Sequence, residues 1–134
     1  MIDIENDVFD AVASAVLAVE PSTYVTGVAE HAPPRFPCVV LSERSNTTLL
    51  STRSSSAFEN HAQVMFELDV YSNKVSGKKA QCKALAAVVD TQMQLMGFTR
   101  VMLEPIDNML DPSVYRMKGR YQAVIGKNKT VYRR

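Results

Sequence analysis

The stretch AQVMFELDVYS, Ala62 to Ser72, decides the fold of this 134-residue chain. Apolar residues occupy every second position along most of it, and they are Ala62, Val64, Phe66, Leu68 and Val70. Successive side chains of a strand point to opposite faces, so this alternation predicts a strand with one face on the core. Glu67 and Asp69 then lie on the other face.

A second long strand is predicted by DPSVYRMKGRYQAVI, Asp111 to Ile125, whose two faces differ more strongly. One face is mostly apolar and consists of Tyr115, Met117, Gly119, Tyr121, Ala123 and Ile125. The opposite face consists of Arg116, Lys118, Arg120 and Gln122. Because unpaired cations are very costly to bury, this basic face is expected outside the core.

Two segments have the three-and-four spacing of apolar residues that is typical of amphipathic helices. The first is Ile2–Val19. The second has its body at Lys78–Met96, and Ser76 is its expected N-cap. Gly97 follows at the position where a left-handed residue closes a helix, so a Schellman ending is expected there.

The remaining segments complete an α+β fold. CVVLSE (Cys38–Glu43) and TRVMLEP (Thr99–Pro105) are predicted strands, whereas Pro21–Pro37 is a predicted connection. Tight connections and two helices favour a mainly antiparallel sheet of about four to five strands with both helices packed on one face. The step through the second helix is expected to be a crossover that adds one parallel pair. No linker divides residues 1–134, so a single domain is expected.

A Ser/Thr-rich segment, RSNTTLLSTRSSSAFENH, occupies Arg44–His61. We interpret it as a long hairpin arm with partial strand around Thr47–Thr52. Leu49 and Leu50 would be exposed apolar side chains if the segment were only a loop. Long connections in compact domains are usually functional or disordered, so the arm either binds a partner or is a flexible loop.

Charge is unevenly distributed along the chain, although its net charge is only +1. Residues 1–70 carry ten acidic and three basic residues, a net charge of −7. Residues 71–134 carry four acidic and twelve basic residues, a net charge of +8. This asymmetry indicates complementary association or an anionic partner, unless the two halves pack so that their fields cancel.

No motif in the sequence carries enzyme chemistry. The five glycines form neither a dinucleotide-binding fingerprint nor a Walker loop. His31 and His61 have no neighbouring ligand at metal-binding spacing, and Cys38 and Cys82 lie in apolar segments, as expected for buried free thiols. No apolar run approaches the ~20 residues of a membrane span. We therefore expect a soluble protein made in a cytoplasm, with no catalytic residue, cofactor, metal or membrane partner.

The order of these segments resembles the tail terminator, or tail-completion, proteins of long-tailed bacteriophages, which are also called minor tail or tail-to-head joining proteins. The shared features include a short N-terminal helix, a strand preceded by prolines near PRFPCVVL, and a Ser/Thr-rich arm. The closest similarities are DVYSN at Asp69–Asn73, GFTR at Gly97–Arg100 and YRMKGRY at Tyr115–Tyr121. The resemblance covers nearly the whole chain from Val39 onward.

The resemblance implies a small structural protein of the virion, without catalysis, that closes into a hexameric ring. Such a ring caps the head-proximal end of the tail tube, stops its growth and joins it to the head-completion or connector protein. It would be assembled in the host cytoplasm, and packaged DNA would pass through its lumen without specific recognition. Two alternatives are another head–tail neck protein and a small DNA-binding or regulatory module.

Residues from the arm, the two long strands and the C-terminus are predicted to form the protein interfaces of this homo-oligomer. They are Leu49, Leu50, Arg53, Glu67, Asp69, Arg116, Lys118, Arg120, Arg133 and Arg134. The arm is expected to contact a neighbouring protomer or the tail tube protein. The basic strand face is expected to meet an acidic surface of an adjacent protomer, such as the one around Glu67 and Asp69, because complementary charges set register and partner choice. DNA in the lumen and solvent are the alternatives for this face.

Overall fold

Two helices and six strands form the part of the chain that the computed structural model describes, residues 1–28, 33–48, 61–107, 111–126, 128 and 131–132. The helices are α1 (Glu5–Val19) and α2 (Lys78–Leu95). The strands are β1 (Tyr24–Thr26), β2 (Cys38–Thr48), β3 (His61–Ser72), β4 (Thr99–Ile106), β5 (Tyr115–Gly126) and β6 (Val131–Tyr132). Both helices pack on the same face of the sheet, so the predicted α+β architecture is confirmed.

The strands follow the order β1-β2-β3-β5-β4, and the short β6 pairs with the end of β5. Every paired neighbour is antiparallel except β1 and β2. The predicted crossover therefore does not give a hydrogen-bonded parallel pair. β3 and β4, which α2 connects, run in the same direction because each is antiparallel to β5, and β5 lies between them.

Two strand predictions are wrong in their extent. The segment Pro21–Pro37 is not only a connection, because it contains β1, whose Tyr24 lies beside Cys38. β2 also continues beyond Glu43 to Thr48, through the first residues of the predicted arm, because polar residues there pair with β3 as far as Ala62. Residues 49–60, the rest of the arm, lie outside the described part of the chain.

The core lies between the helices and the inner face of the sheet, and it contains the apolar faces predicted for both long strands. α1 contributes Val8, Val12 and Val16. β3 and β5 contribute Ala62, Val64, Phe66, Leu68, Val70, Met117, Tyr121, Ala123 and Ile125. The ring of Phe66 meets that of Phe98 edge to face at 5.5 Å, a favourable arrangement for aromatic pairs. Burial of these side chains fixes the register of both long strands, since a slip by one residue would turn their polar face inward.

The two ends of α2 differ in how well the sequence predicted them. The Schellman ending is confirmed: Gly97 has a φ of 93°, and the amides of Gly97 and Phe98 donate to the carbonyls of Gln94 and Met93. Ser76 is not the N-cap, because Gly77 precedes the helix with a φ of 90°. No side-chain hydrogen bond caps this end.

Candidate interaction surface

The outer face of the sheet carries acidic side chains from β3 and basic side chains from β5. These two strands are neighbours, and their register places Glu67 opposite Arg120 and Asp69 opposite Lys118. Arg116 lies one pair further on, opposite Tyr71. Side chains that face each other across an antiparallel pair are close enough to interact, so the pairing of β3 with β5 brings opposite charges together.

The five charged side chains form an alternating row, which we call the charge ladder: Arg116, Asp69, Lys118, Glu67 and Arg120. The Arg116 guanidinium donates through Nε and Nη2 to Asp69 Oδ1, at 3.0 and 2.8 Å. Lys118 Nζ lies 2.9 Å from Glu67 Oε1 and 3.9 Å from Asp69 Oδ1. Arg120 Nε donates to Glu67 Oε2 at 3.3 Å. Each carboxylate therefore lies between two cations.

The ladder is partly shielded from solvent. The side chains of Glu67 and Lys118 are only 11% and 21% exposed, whereas that of Arg120 is 47% exposed. Burial alone would raise the pKa of Glu67, but the hydrogen bond and charge of Lys118, with smaller effects of Arg44 and Arg120, outweigh it and lower the pKa. Burial raises the pKa of Asp69, and Arg116 and Lys118 offset that rise only in part. The pKa values of the two carboxylates are therefore shifted in opposite directions.

The charge ladder changes the interpretation of the basic strand face. Its three cations are not unpaired, as the sequence argument assumed, because Glu67 and Asp69 of the same chain already bind them. The structure thus brings together five of the predicted interface residues within one protomer. The others, Leu49, Leu50, Arg53, Arg133 and Arg134, lie outside the described residues.

An apolar cluster on the same outer face borders the ladder at Arg116. The Arg116 guanidinium lies 5.2 Å from the centre of the Tyr71 ring, a cation–π distance. Tyr71 packs with Cys38, Val40 and Val114, and all four side chains are buried. The alternation in β3 predicts that Tyr71 faces outward. Its burial could not be predicted, because the sequence does not show that β2 lies alongside β3.

A polar network at the edge of the core was not predicted. The buried Tyr121 hydroxyl donates to Asp90 Oδ1 at 2.8 Å, and Asp90 Oδ2 binds Gln94 and Arg100 at 2.6 and 3.2 Å. Burial raises the pKa of Tyr121, and the Asp90 carboxylate adds to the rise. The network joins α2 to β4 and β5. The only signal in the sequence was an acid, Asp90, next to the core residue Val89 of the helix.

The described residues carry little that resembles a reaction centre. No group of three or more His, Cys, Asp or Glu among them lies close enough together to hold a metal ion. Cys82 is buried beside the carbonyls of Val70 and Tyr115, and burial raises the pKa of its thiol to about 12. A thiol with such a pKa is almost entirely protonated at neutral pH and is a poor nucleophile. No helix in the described part is both long enough and apolar enough to cross a membrane.

A cavity of about 410 Å³ lies where the end of β4 meets the starts of β5 and α2. Lys78, Asp107 and Arg116 contribute its charged groups. Lys78 Nζ donates to the Ser113 carbonyl at 3.2 Å, and Arg116 binds Asp69, so both cations already have protein partners. Among the charged groups that line the cavity, the exposed Asp107 is the one without a protein partner in the described part of the chain. A single exposed carboxylate does not select a particular ligand.

Comparison with known proteins gives no relative: no protein-family model matches the chain, and no curated protein matches it. The resemblance to tail terminators therefore rests on the residues quoted above. What can be added from the structure is the position of those residues in the fold.

Proposed function

We propose that this protein is a structural component of a long-tailed bacteriophage virion, a ring-forming tail terminator. In this proposal the ring caps the head-proximal end of the tail tube and joins the tail to the head connector. The tail tube protein and the head-completion protein are its partners, and DNA passes through the lumen. The resemblance supplies the hexameric stoichiometry.

The proposal rests on the positions in the fold of the three segments that are most similar to tail terminators. DVYSN forms the end of β3 and leads towards α2. GFTR contains the Schellman ending of α2 and the start of β4. YRMKGRY spans the first part of β5, which pairs with β3. The three segments thus belong to one continuous unit, β3-α2-β4-β5, and this supports a similarity of fold rather than of isolated peptides.

The alternative of a DNA-binding module has weaker support on the sheet. Such a module would contact phosphates through Arg116, Lys118 and Arg120 on the outer face of β5. Glu67 and Asp69 reduce the net charge of this row to +1. Affinity for nucleic acid without sequence recognition comes mainly from cations that neutralise phosphates. A row whose cations already bind carboxylates has little charge left for that purpose.

Removal of the protein during particle assembly tests the proposal directly. Without a terminator, tails should grow to irregular lengths and remain separate from DNA-filled heads, as measured by negative-stain electron microscopy. Purified wild-type protein added back should restore tails of uniform length with a ring at the head-proximal end. Glu104→Gln, which neutralises an exposed acid of β4, is a suitable control and should restore them equally. Uniform, capped tails in the absence of the protein would contradict the proposal, and tails of normal length that lack heads would favour a neck protein.

A further inference from the structure

The start of α2 carries an unusual concentration of positive charge. Lys74, Lys78, Lys79 and Lys83 lie within ten positions there, and the first turn contains no acidic residue. The amino end of a helix already has a partial positive charge, so cations near it oppose the helix dipole instead of stabilising the helix. Acidic residues are preferred at the start of a helix, and departures from such a preference usually occur at functional sites.

Most of this lysine cluster is available to a partner. Lys78 donates to the Ser113 carbonyl, and its charge contributes, after the hydrogen bonds from Ser113, to the lowered pKa of Asp111. Lys74, Lys79 and Lys83 are exposed. Within the parts of the chain that the structure describes, their ammonium groups make no ion pair. Their charge is therefore not neutralised locally.

The start of α1 carries the opposite charge. Its acidic cluster consists of Asp3, Glu5, Asp7 and Asp10, of which all but Glu5 are exposed. Glu43 extends the cluster, since its amide donates to Glu5 Oε2 at 3.1 Å. Burial raises the pKa of Glu43, and the nearby carboxylates of Glu5 and Asp3 add to the rise against the hydrogen bond from Asn46. Negative charge is thus crowded at this end of the helix layer.

The two clusters lie at opposite ends of the helix layer because the helices are antiparallel. The start of α1 is fixed beside the second half of β2, where the Asn46 side-chain amide donates to the Ile2 carbonyl at 2.6 Å. α1 then runs towards β1, whose Tyr24 lies beside the first residue of β2. α2 starts at that same end of the sheet, where Ser72 of β3 donates to its Gln81 side chain. The lysine cluster therefore lies at the end of the layer where α1 finishes.

The separation is too large for the clusters to neutralise each other within one chain. Helices of 15 and 18 residues are about 22 and 27 Å long, which places the cluster centres on the order of 15 Å apart. The Debye length at physiological ionic strength is about 8 Å. Each protomer therefore presents an acidic end and a basic end to its surroundings.

From this arrangement we infer that the lysine cluster of α2 is a docking surface for the acidic cluster of α1 on a second copy of this chain. The inference rests on the proposed ring and assigns its protomer contact to the helix layer. A contact between unlike surfaces is head-to-tail, and such contacts close into a ring when the rotation between neighbours allows it. Charge complementarity favours a second copy as the partner, because every copy carries a largely exposed acidic cluster that matches the lysine cluster.

A pair of charge-reversal variants tests the inference. The first combines Lys74→Glu, Lys79→Glu and Lys83→Glu and changes the charge of the lysine cluster from +4 to −2. The second combines Asp3→Lys, Asp7→Lys and Asp10→Lys and changes the charge of the acidic cluster from −4 to +2. All six positions are exposed. Each variant alone has two ends of like charge and should associate more than about tenfold more weakly than wild type. An equimolar mixture presents acidic ends to basic ends at every contact, so it should associate again and form complexes with equal numbers of the two variants.

Sedimentation velocity and negative-stain microscopy measure the outcome. Wild-type association should also weaken more than about tenfold when salt is raised from about 50 mM to about 500 mM, because exposed ion pairs are screened. Arg35→Glu reverses an exposed cation outside both clusters and is the control for single Lys79→Glu. If a variant fails to fold by circular dichroism, the neutral pair Lys79→Gln with Lys83→Gln replaces the first variant.

Three results would overturn the inference. The first is a mixture of folded variants that remains monomeric while wild type associates. The second is wild-type association that neither variant changes. The third is a wild type that stays monomeric at every salt concentration but binds random duplex DNA through Lys79 and Lys83, which would make nucleic acid the partner. If capped tails carry rings that tolerate both reversals, only the inference fails. If the charges control association but tails assemble normally without the protein, only the proposed function fails.

Discussion

Glu67→Gln removes one of the two acids that hold the charge ladder together. The variant keeps the shape of the side chain but removes the carboxylate that Lys118 and Arg120 bind at 2.9 and 3.3 Å, so that Lys118 retains only Asp69, at 3.9 Å. The net charge of the row rises from +1 to +2. An exposed ion pair contributes about 0.5 kcal/mol, whereas breaking a fully buried one costs about 3–5 kcal/mol. Because the Glu67 side chain is 11% exposed, we expect an intermediate loss of about 1–2 kcal/mol.

Urea unfolding followed by circular dichroism at pH 7 measures this loss, and calorimetry provides a second reading. For a chain of this size, about 1–2 kcal/mol lowers Tm by about 3–10 °C. Glu104→Gln is the matched control, because Glu104 lies opposite Lys118 on the other side of β5 but is exposed and makes no ion pair with the described residues. It should change stability by less than about 0.5 kcal/mol. Equal unfolding midpoints for the two variants would refute the stabilising role of the ladder.

The same variant has a defined pH dependence. The folded-state pKa of Glu67 lies below its ordinary value of 4.5. Its contribution to stability is therefore fully present above pH 4.5 and is lost as the pH falls through the lowered folded-state pKa. The difference in free energy of unfolding between wild type and Glu67→Gln should shrink below about pH 4. A difference that persists unchanged to pH 2 would show that the carboxylate charge is not its cause.

Three further predictions concern the core and the end of α2. Tyr121→Phe removes the 2.8 Å hydrogen bond to Asp90 and should cost about 1 kcal/mol in urea unfolding; an unchanged midpoint would mean that the network does not stabilise the fold. Gly97→Ala places a β-carbon at a φ of 93° and should cost about 1–2 kcal/mol by the same measurement, whereas a gain in stability would contradict the left-handed helix ending. Cys82 should resist a thiol reagent in the native state at pH 8, because a pKa of about 12 leaves about one thiolate in ten thousand, and rapid native-state labelling of Cys82 would contradict its burial. Since that pKa is raised from 9.0, its contribution to stability is present below pH 9 and is lost as the pH rises towards 12, so alkaline unfolding should be less steep in Cys82→Ala.

The sequence predicted the features of this fold that depend on local periodicity. The faces of β3 and β5 follow from alternation, and the left-handed Gly97 follows from its place after an amphipathic segment. Features that depend on a neighbouring strand were missed. The polar end of β2 up to Thr48 is a strand because β3 pairs with it, and the three-residue β1 exists only beside β2. Ser76 had the usual chemistry of an N-cap, but the chain requires a left-handed residue immediately before α2, and Gly77 provides it.

The charge ladder was missed for a similar reason, because strand order is not visible in a single sequence. Glu67 and Arg120 were both recognised as outward-facing, but they are 53 positions apart, and nothing local indicated that β5 inserts between β3 and β4. Without that pairing, three cations on one strand face required a partner outside the chain. The partly buried Asp90 was missed because an acid on a helix is more often exposed than bound to a core side chain.

The pairing of β3 with β5 also changes the meaning of the charge asymmetry between the two halves of the chain. The ladder takes two acids from the first half and three bases from the second, so this part of the asymmetry is neutralised when the protein folds. The rest of the charge asymmetry among the described residues is concentrated in the helix layer. Four acidic residues lie in or just before the first half of α1, and four lysines lie around the start of α2. Antiparallel packing keeps these groups apart, and each helix lies along the sheet face opposite the ladder. The charge asymmetry of the sequence thus divides into two sets of opposite charges: one set pairs within the folded chain, and we propose that the other acts between copies of the chain.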